Sequence, residues 1–236
     1  MKALILAAGF GSRLRPLTNE VPKAMVQVNQ RAIIDQQISN LHENGVADIT
    51  VVVGYKAEMF KAYLIEAYPS VKIIENTQYN NTNNMYSAYL TRGEFYNCSF
   101  LLMNADVYFD SSILRELIKE EYNNSIVVEA GVYNDESMKV ECTNNKIISI
   151  SKGITEEKAF GVSIDVYKFS SEGSKTFFDM VVEFIEEKKD LNQWTEVALN
   201  NVLKEITFTP CPLKGRWIEI DNHDDLKNAE DIFNEL

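Results

Sequence analysis

Cysteine is scarce and scattered: Cys98, Cys142 and Cys211 are odd in number, far apart and form no CxxC pair. Neither a disulfide framework nor a structural zinc site is therefore expected, and the thiols read as reduced, as in cytoplasm. Histidine occurs only as His42 and His223, both expected to be structural or solvated. Positive charge is in deficit, 23 Lys and Arg against 35 Asp and Glu, for a net charge of −12. That balance argues against nucleic acid as a partner, because duplex binding draws on many Lys and Arg contacts to phosphate. Long apolar runs are missing too. The first one, Ala3 to Ala8, leads straight into a glycine turn and is too short for a signal-peptide core or a membrane span, so no membrane insertion and a cytoplasmic location are expected. There is no Pro/Gly/Ser linker and no internal repeat.

The composition, 45% hydrophobic and 25% charged, is that of a globular chain with a sizeable core. One domain, 1–236, is favoured. Periodicity predicts strand Lys2 to Ala8, helix Ala32 to Asn44 stopped by Gly45, strand Ile49 to Val53, helix Ala57 to Tyr68 stopped before Pro69, and strand Val71 to Glu75. Ile33, Ile34, Gln37, Ile38 and Leu41 mark an inward stripe on the first of these helices. The strands are Val, Ile and Leu runs of the kind buried on both faces. After the polar stretch NTQYNNTNN (76–84), a helix from Met85 to Phe95 and a strand from Phe100 to Met103 are expected. Residues 125–168 read as several β segments, followed by helices near 173–188 and 194–204, a short strand ending at Ile220 and a closing helix 223–235. The expected fold is α/β: a Rossmann-like, mostly parallel central sheet flanked by helices, with a small β-rich insertion.

The strongest feature is LAAGFGSRLRPLT (6–18), followed by Pro22-Lys23-Ala24-Met25, directly after the first strand. That position is the carboxyl edge of the sheet, where open α/β folds bind ligands. Gly9 and Gly11 let the backbone bend and turn N–H groups toward phosphate oxygens, and Arg13 and Lys23 add fixed positive charge. The loop suits a polyanion. A dinucleotide fingerprint is disfavoured, since Leu14 stands where the third glycine would be and the second strand ends Val53-Gly54-Tyr55 without an acid. The Walker spacing GxxxxGK[ST] is absent.

LAAGFGSRLRPLT with PKAM resembles the signature of the sugar-phosphate and small-molecule nucleotidyltransferases. The resemblance implies that residues 1–110 bind a nucleoside triphosphate and that 111–236 bind an acceptor and carry a late metal motif. Leu6, Ala7, Ala8, Gly9, Gly11, Ser12, Arg13 and Ala105 would contact the nucleotide, with Arg13 and Lys23 as the catalytic cations. The cofactor implied is Mg²⁺, held by Asp106 in LLMNADVYF and Asp221 in WIEIDNHDDL, with Glu219 completing a late acidic pair. Two carboxylates plus water and phosphate oxygens suit that ion. Each Asp also fits a turn or helix cap, Asp221 especially. The reaction implied is in-line attack of an acceptor phosphate oxygen on the α-phosphorus. An ionised phosphate needs no general base, so positioning and charge neutralisation supply the rate.

NNMYSAY (83–89) and the ending WIEIDNHDDLKNAE look most like the CTP:phosphocholine cytidylyltransferase branch and its relatives. The partners implied are CTP and a small phosphorylated or phosphonate acceptor: phosphocholine-like, an aminoalkylphosphonate or a phosphorylated amino acid. Asn84 and Ser87 are candidates to read the base, against an alternative in which the asparagine run only forms turns. Tyr86, Trp194, Trp217, Glu196 and Glu219 are candidates for a cationic head group, and Lys152 for the acceptor phosphate. Asp135-Glu136-Ser137-Met138 stands where the choline enzymes would be expected to place an aromatic. A sugar-1-phosphate uridylyl- or thymidylyltransferase and a non-catalytic nucleotide sensor are the alternatives. A glycosyltransferase would need Asp-x-Asp where Asn104-Ala105-Asp106 stands. The oligomeric state is left open, a homodimer included.

Overall fold

The computed structural model describes residues 1–234. The first third contains β1 (Lys2–Ala7), the short helix α1 (Leu17–Glu20), β2 (Gln27–Val28), β3 (Arg31–Ala32), α2 (Ile33–Glu43), β4 (Asp48–Val53), α3 (Ala57–Ala67) and β5 (Lys72–Glu75). Then come α4 (Asn84–Leu90), α5 (Arg92–Phe95), β6 (Phe100–Asn104), β7 (Val107–Phe109) and α6 (Ser111–Lys119). The remainder holds β8 (Ser125–Ala130), β9 (Lys139–Thr143), β10 (Lys146–Ser151), β11 (Gly161–Phe169), α7 (Ser171–Val182), α8 (Thr195–Val202), β12 (Thr209–Pro212), β13 (Trp217–Glu219) and α9 (His223–Ile232). The expected closing helix is thus present to Ile232, and its last residue falls outside the described ones.

The central sheet runs β10-β9-β11-β6-β1-β4-β5, with β8 on β11 and β12 beyond it. β1 is paired in parallel on both sides, to β4 and to β6, because the chain fills one side through β5 and then crosses to the other. The strand order reverses at β1. A crevice opens at the carboxyl ends there, which is where such sheets bind ligands. The β-rich segment does not stand apart: β11 lies antiparallel against β6 and β8, so the same sheet continues under the second half of the chain.

The apolar stripe of α2 is buried as expected, with Ile33, Ile34, Ile38 and Leu41 all fully enclosed. Each such side chain contributes about 1.5–3 kcal/mol by leaving water. Gln37 belongs to the same buried face for another reason. Its Nε2 donates to the carbonyls of Asn104 at 2.8 Å and Val107 at 2.9 Å, fixing the turn between β6 and β7. The helix expected over Met85 to Phe95 breaks at Thr91, whose hydroxyl donates to the Ala88 carbonyl. Helix α6 was not anticipated, although Ile113, Leu114 and Leu117 bury one face of it. No helix among the described residues is long and apolar enough to cross a membrane.

Candidate active site

The site grows outward from the carboxyl end of β1. Beyond Ala8 and Gly9 the loop turns at Gly11, whose φ is +60°. A β carbon at Gly11 would stand 2.9 Å from the β carbon of Lys23, so a side chain is excluded both by the left-handed backbone and by the close approach. The Thr18 hydroxyl donates to the Gly11 carbonyl at 2.9 Å, and the Tyr55 hydroxyl donates to the Thr18 carbonyl at 2.9 Å. A ring nitrogen of His223 lies 2.7 Å from the Arg15 carbonyl, tying α9 to the same loop.

Opposite the loop, three carboxylates converge. Asp106 sits in the turn between β6 and β7 that Gln37 clamps. β13 runs antiparallel to β7, with Glu219 opposite Val107, and the Ile220 N–H donates to the Asp106 carbonyl at 2.9 Å. Asn222 caps α9 and Asp225 closes its capping box. Asp221 is therefore not the helix cap. Carboxylate oxygens of Asp106, Glu219 and Asp221 all lie within 4.8 Å of one another. The Lys23 ammonium donates to Asp106 Oδ2 at 3.0 Å and to Asp221 Oδ1 at 2.7 Å, and Arg13 Nη2 pairs with Asp221 Oδ2 at 2.7 Å.

Burial opposes the charge of Lys23, but Asp106 and Asp221 more than offset it and its pKa is raised. Burial likewise opposes ionisation of Asp221, yet Lys23 and Arg13 hold its pKa below the usual value. For Glu219 the pull of Lys23 is the smallest influence and does not offset the rest. Burial, followed by the charges of Asp106, Asp165 and Asp221, pushes it up to about 9. Three acidic groups thus crowd two cations, Glu219 keeping its proton for want of a third, and Asp106 Oδ1 is buried without a hydrogen-bond partner. An orphaned carboxylate oxygen beside two more carboxylates fits a hard divalent cation.

Loop and carboxylates face a cavity of about 340 Å³. It brings together Leu6, Ala7, Ala8, Gly9, Arg13 and Lys23 on one side, and Asn84, Ser87 and Ala105 on another. Asp106, Glu219 and Asp221 line it as well, and so do Lys152, Trp194 and Glu196, the last two joined to Asn84 through Thr195. Gly11 and Ser12 shape the loop behind this wall without lining it. Tyr86 is not brought to the cavity, because on α4 it points away from the face shared by Asn84 and Ser87. Its ring stacks on Tyr89 at 5.7 Å and its hydroxyl accepts from Gln78. Trp217 lines a neighbouring cavity of about 490 Å³ instead, where its indole N–H donates to Glu129 at 2.8 Å.

Within the asparagine run the roles divide. Asn83 caps α4, Asn84 Oδ1 accepts from the Thr195 N–H at 2.9 Å, and Asn76 donates to the Ser87 hydroxyl at 3.1 Å. The Lys152 ammonium lies over the Trp194 ring, 5.5 Å from its centroid, so a cation already occupies that face.

Glu136, Ser137 and Met138, at the place where an aromatic would be expected in the choline enzymes, line the cavity, and so do Asn76, Asn104 and Asp165, which were not among the candidates. For Asp165 there was a signal, an acid inside the buried run Val-Ser-Ile-Asp-Val of β11. It accepts from Asn104 Nδ2 at 3.0 Å and from the Tyr167 hydroxyl at 2.8 Å, while Glu196 Oε1 lies at the same distance from that hydroxyl. One hydroxyl hydrogen serves only one carboxylate, so a second proton belongs to the pair. Burial first, then the charge of Glu196, pushes Asp165 up to about 7; burial raises Glu196 as well.

A sheet with its crevice at the strand reversal, a cationic glycine loop and a facing carboxylate group define a nucleotide-binding transferase of the α/β class. More narrowly, the chain belongs to the nucleotidyl transferase family, whose model matches residues 2–231. It is 33% identical to choline-phosphate cytidylyltransferase of Streptococcus pneumoniae, over 99% of this chain and 98% of that one. It is 28% identical to CTP:phosphoglutamine cytidylyltransferase of Campylobacter jejuni, over 96% and 98% of the two chains. The solved structure of CTP:phosphocholine cytidylyltransferase from Streptococcus pneumoniae superposes with a TM-score of 0.81 at 29% identity, covering 98% of each chain.

Proposed function

We propose that the protein transfers CMP from CTP to a small phosphorylated or phosphonate acceptor with a cationic tail, releasing pyrophosphate, with Mg²⁺ as cofactor. The observation that carries this is the continuity of one cavity, from the loop cations through Asp106, Glu219 and Asp221 to the acid pair Asp165 and Glu196.

Arg13 and Lys23 bind the triphosphate, and Asn84 and Ser87 face the base from α4. Lys152 holds the acceptor phosphate. An oxygen of that phosphate forms a bond to the α-phosphorus as the bond to the β-phosphate oxygen breaks, and pyrophosphate leaves with the negative charge. The attacking oxygen is already ionised, so no residue need remove a proton. Asp106 and Asp221 would hold Mg²⁺, which supplies charge neutralisation to the phosphates when bound. Asp165 and Glu196, buried with a shared proton, suit an ammonium on the acceptor, since a cation next to them replaces that proton. Phosphocholine-like acceptors, aminoalkylphosphonates and phosphorylated amino acids all carry such a group.

The test is pyrophosphate release with Mg²⁺ across the four NTPs, each against phosphocholine, phosphoethanolamine, 2-aminoethylphosphonate, phosphorylated amino acids and hexose-1-phosphates. Release with CTP and an amine-bearing acceptor is expected. Release only with UTP or dTTP and a hexose-1-phosphate would overturn the assignment.

A further inference from the structure

Residues 134–138 form the wall between the two cavities, for Glu136 and Ser137 line both. The turn is short and largely self-bonded: Asn134 Oδ1 accepts from the Glu136 N–H at 2.9 Å, and the Tyr133 hydroxyl donates to Asp135 at 2.6 Å. At its end the turn meets the sheet, where the Ser163 N–H donates to the Met138 carbonyl at 2.8 Å; the side chain that reaches back into the turn is that of Lys139. Although fully buried, Lys139 forms no ion pair with a carboxylate among the described residues. Its ammonium donates to the carbonyls of Asn134 and Asp135, both at 3.0 Å, and lies 5.1 Å from the centre of the Tyr133 ring. On the sheet, Lys139 is the partner of Ser151, the residue before Lys152.

A buried ammonium without a counter-carboxylate costs free energy that an apolar residue of the same length would not. Stability of the strand therefore does not account for it. Two neighbouring carbonyls turned inward onto one charge do fix the direction in which the turn presents its other face.

We infer that Lys139 is a positioning residue for the acceptor: its ammonium staples the 134–138 turn so that Glu136 and Ser137 stand at a set distance across the cavity from Lys152 and Trp194. This rests on the assignment of that end of the cavity to the acceptor. Lys139 touches neither substrate; it acts through the turn.

The test compares Lys139→Met and Lys139→Arg with the wild type, using CTP and whichever of phosphocholine or 2-aminoethylphosphonate the wild type turns over. Lys139→Met should raise the acceptor KM roughly tenfold or more while the CTP KM stays within roughly twofold. Its thermal midpoint should hold, since an uncompensated buried charge has been removed. Lys139→Arg, which keeps donors and charge, should lie closer to wild type. Amide hydrogen exchange of the Met variant should quicken over 133–138 and stay unchanged around the glycine loop. Unchanged exchange over 133–138 would overturn the staple, and so would KM values for CTP and acceptor that rise together with a falling midpoint. If the wild type turns over neither, the kinetics are run with whichever other amine-bearing acceptor it uses; if it uses none, the acceptor assignment fails by itself, and the exchange readout still decides whether Lys139 fixes the turn.

Discussion

Lys23 stands between two carboxylates, at 3.0 Å from Asp106 and 2.7 Å from Asp221, and replacing it by Met separates its structural and chemical roles. At an effective dielectric constant of about 20, unit charges about 3 Å apart attract by roughly 5 kcal/mol before desolvation is counted. The Lys23 side chain is only 13% exposed and its partners 25% and 21%, so most of that attraction is unscreened. Removing one partner of such a group leaves like charges facing each other and costs about 3 kcal/mol. For a chain of this size that lowers the thermal midpoint by roughly 6–12 °C. Mg²⁺ should return much of the loss, about 2.7 kcal/mol at a hundred times its Kd, and should bind Lys23→Met more tightly than wild type because no ammonium competes for the carboxylates. Turnover should nevertheless fall roughly 10²–10³-fold, as when a fixed donor to developing charge is removed. Scanning calorimetry with and without Mg²⁺, beside pyrophosphate release, reads both effects. Turnover within tenfold of wild type, or Mg²⁺ stabilising the variant no more than the parent, would refute the reasoning.

Asp106→Asn, with Lys23 still paired to Asp221, should fold normally yet lose at least roughly 10³-fold in turnover, checked by circular dichroism and pyrophosphate release. Because the Asp165 pKa is raised to about 7 from an ordinary carboxylate value, the native state holds a proton that the unfolded state has released. The contribution of Asp165 to stability should therefore be lost as pH rises between about 4 and 7, with Glu219, raised to about 9, extending the fall beyond that, and Asp165→Asn should flatten the part of the slope below pH 7 in melts at pH 5 and 7. Gly11→Ala forces a side chain into a left-handed backbone against Lys23, a strain of about 1–2 kcal/mol. It should raise the CTP KM at least roughly tenfold, and steady-state kinetics with an unchanged KM would count against the loop's role.

The glycine loop could be read without a structure because its parts are local. Gly9, Gly11, Arg13 and Lys23 sit within one stretch of chain after an apolar run, and the spacing of turn, cation and strand end carries the chemistry. The buried stripe of α2 was equally legible from its period. The break in the helix after Leu90 was not, since it depends on how Thr91 is enclosed, nor was the direction of Tyr86, which follows from the first turn of α4.

Sequence alone thus determined the main parallel strands of the first half and the helices between them, the anion-binding loop and the residue types around it. Tertiary structure decided what those residues face. Asp106 and Asp221 are far apart in the chain and meet because β13, the short strand expected before Ile220, pairs with the unanticipated three-residue β7, a pairing that periodicity does not encode. Gln37 reads as a polar intruder on an apolar face until its amide is seen holding the Asp106 turn. Asp165, Glu196 and Tyr167 become one proton-sharing group only when β11 and α8 pack together. Side-chain convergence across such distances is set by register and crossing geometry, which residue order constrains only through the folded core.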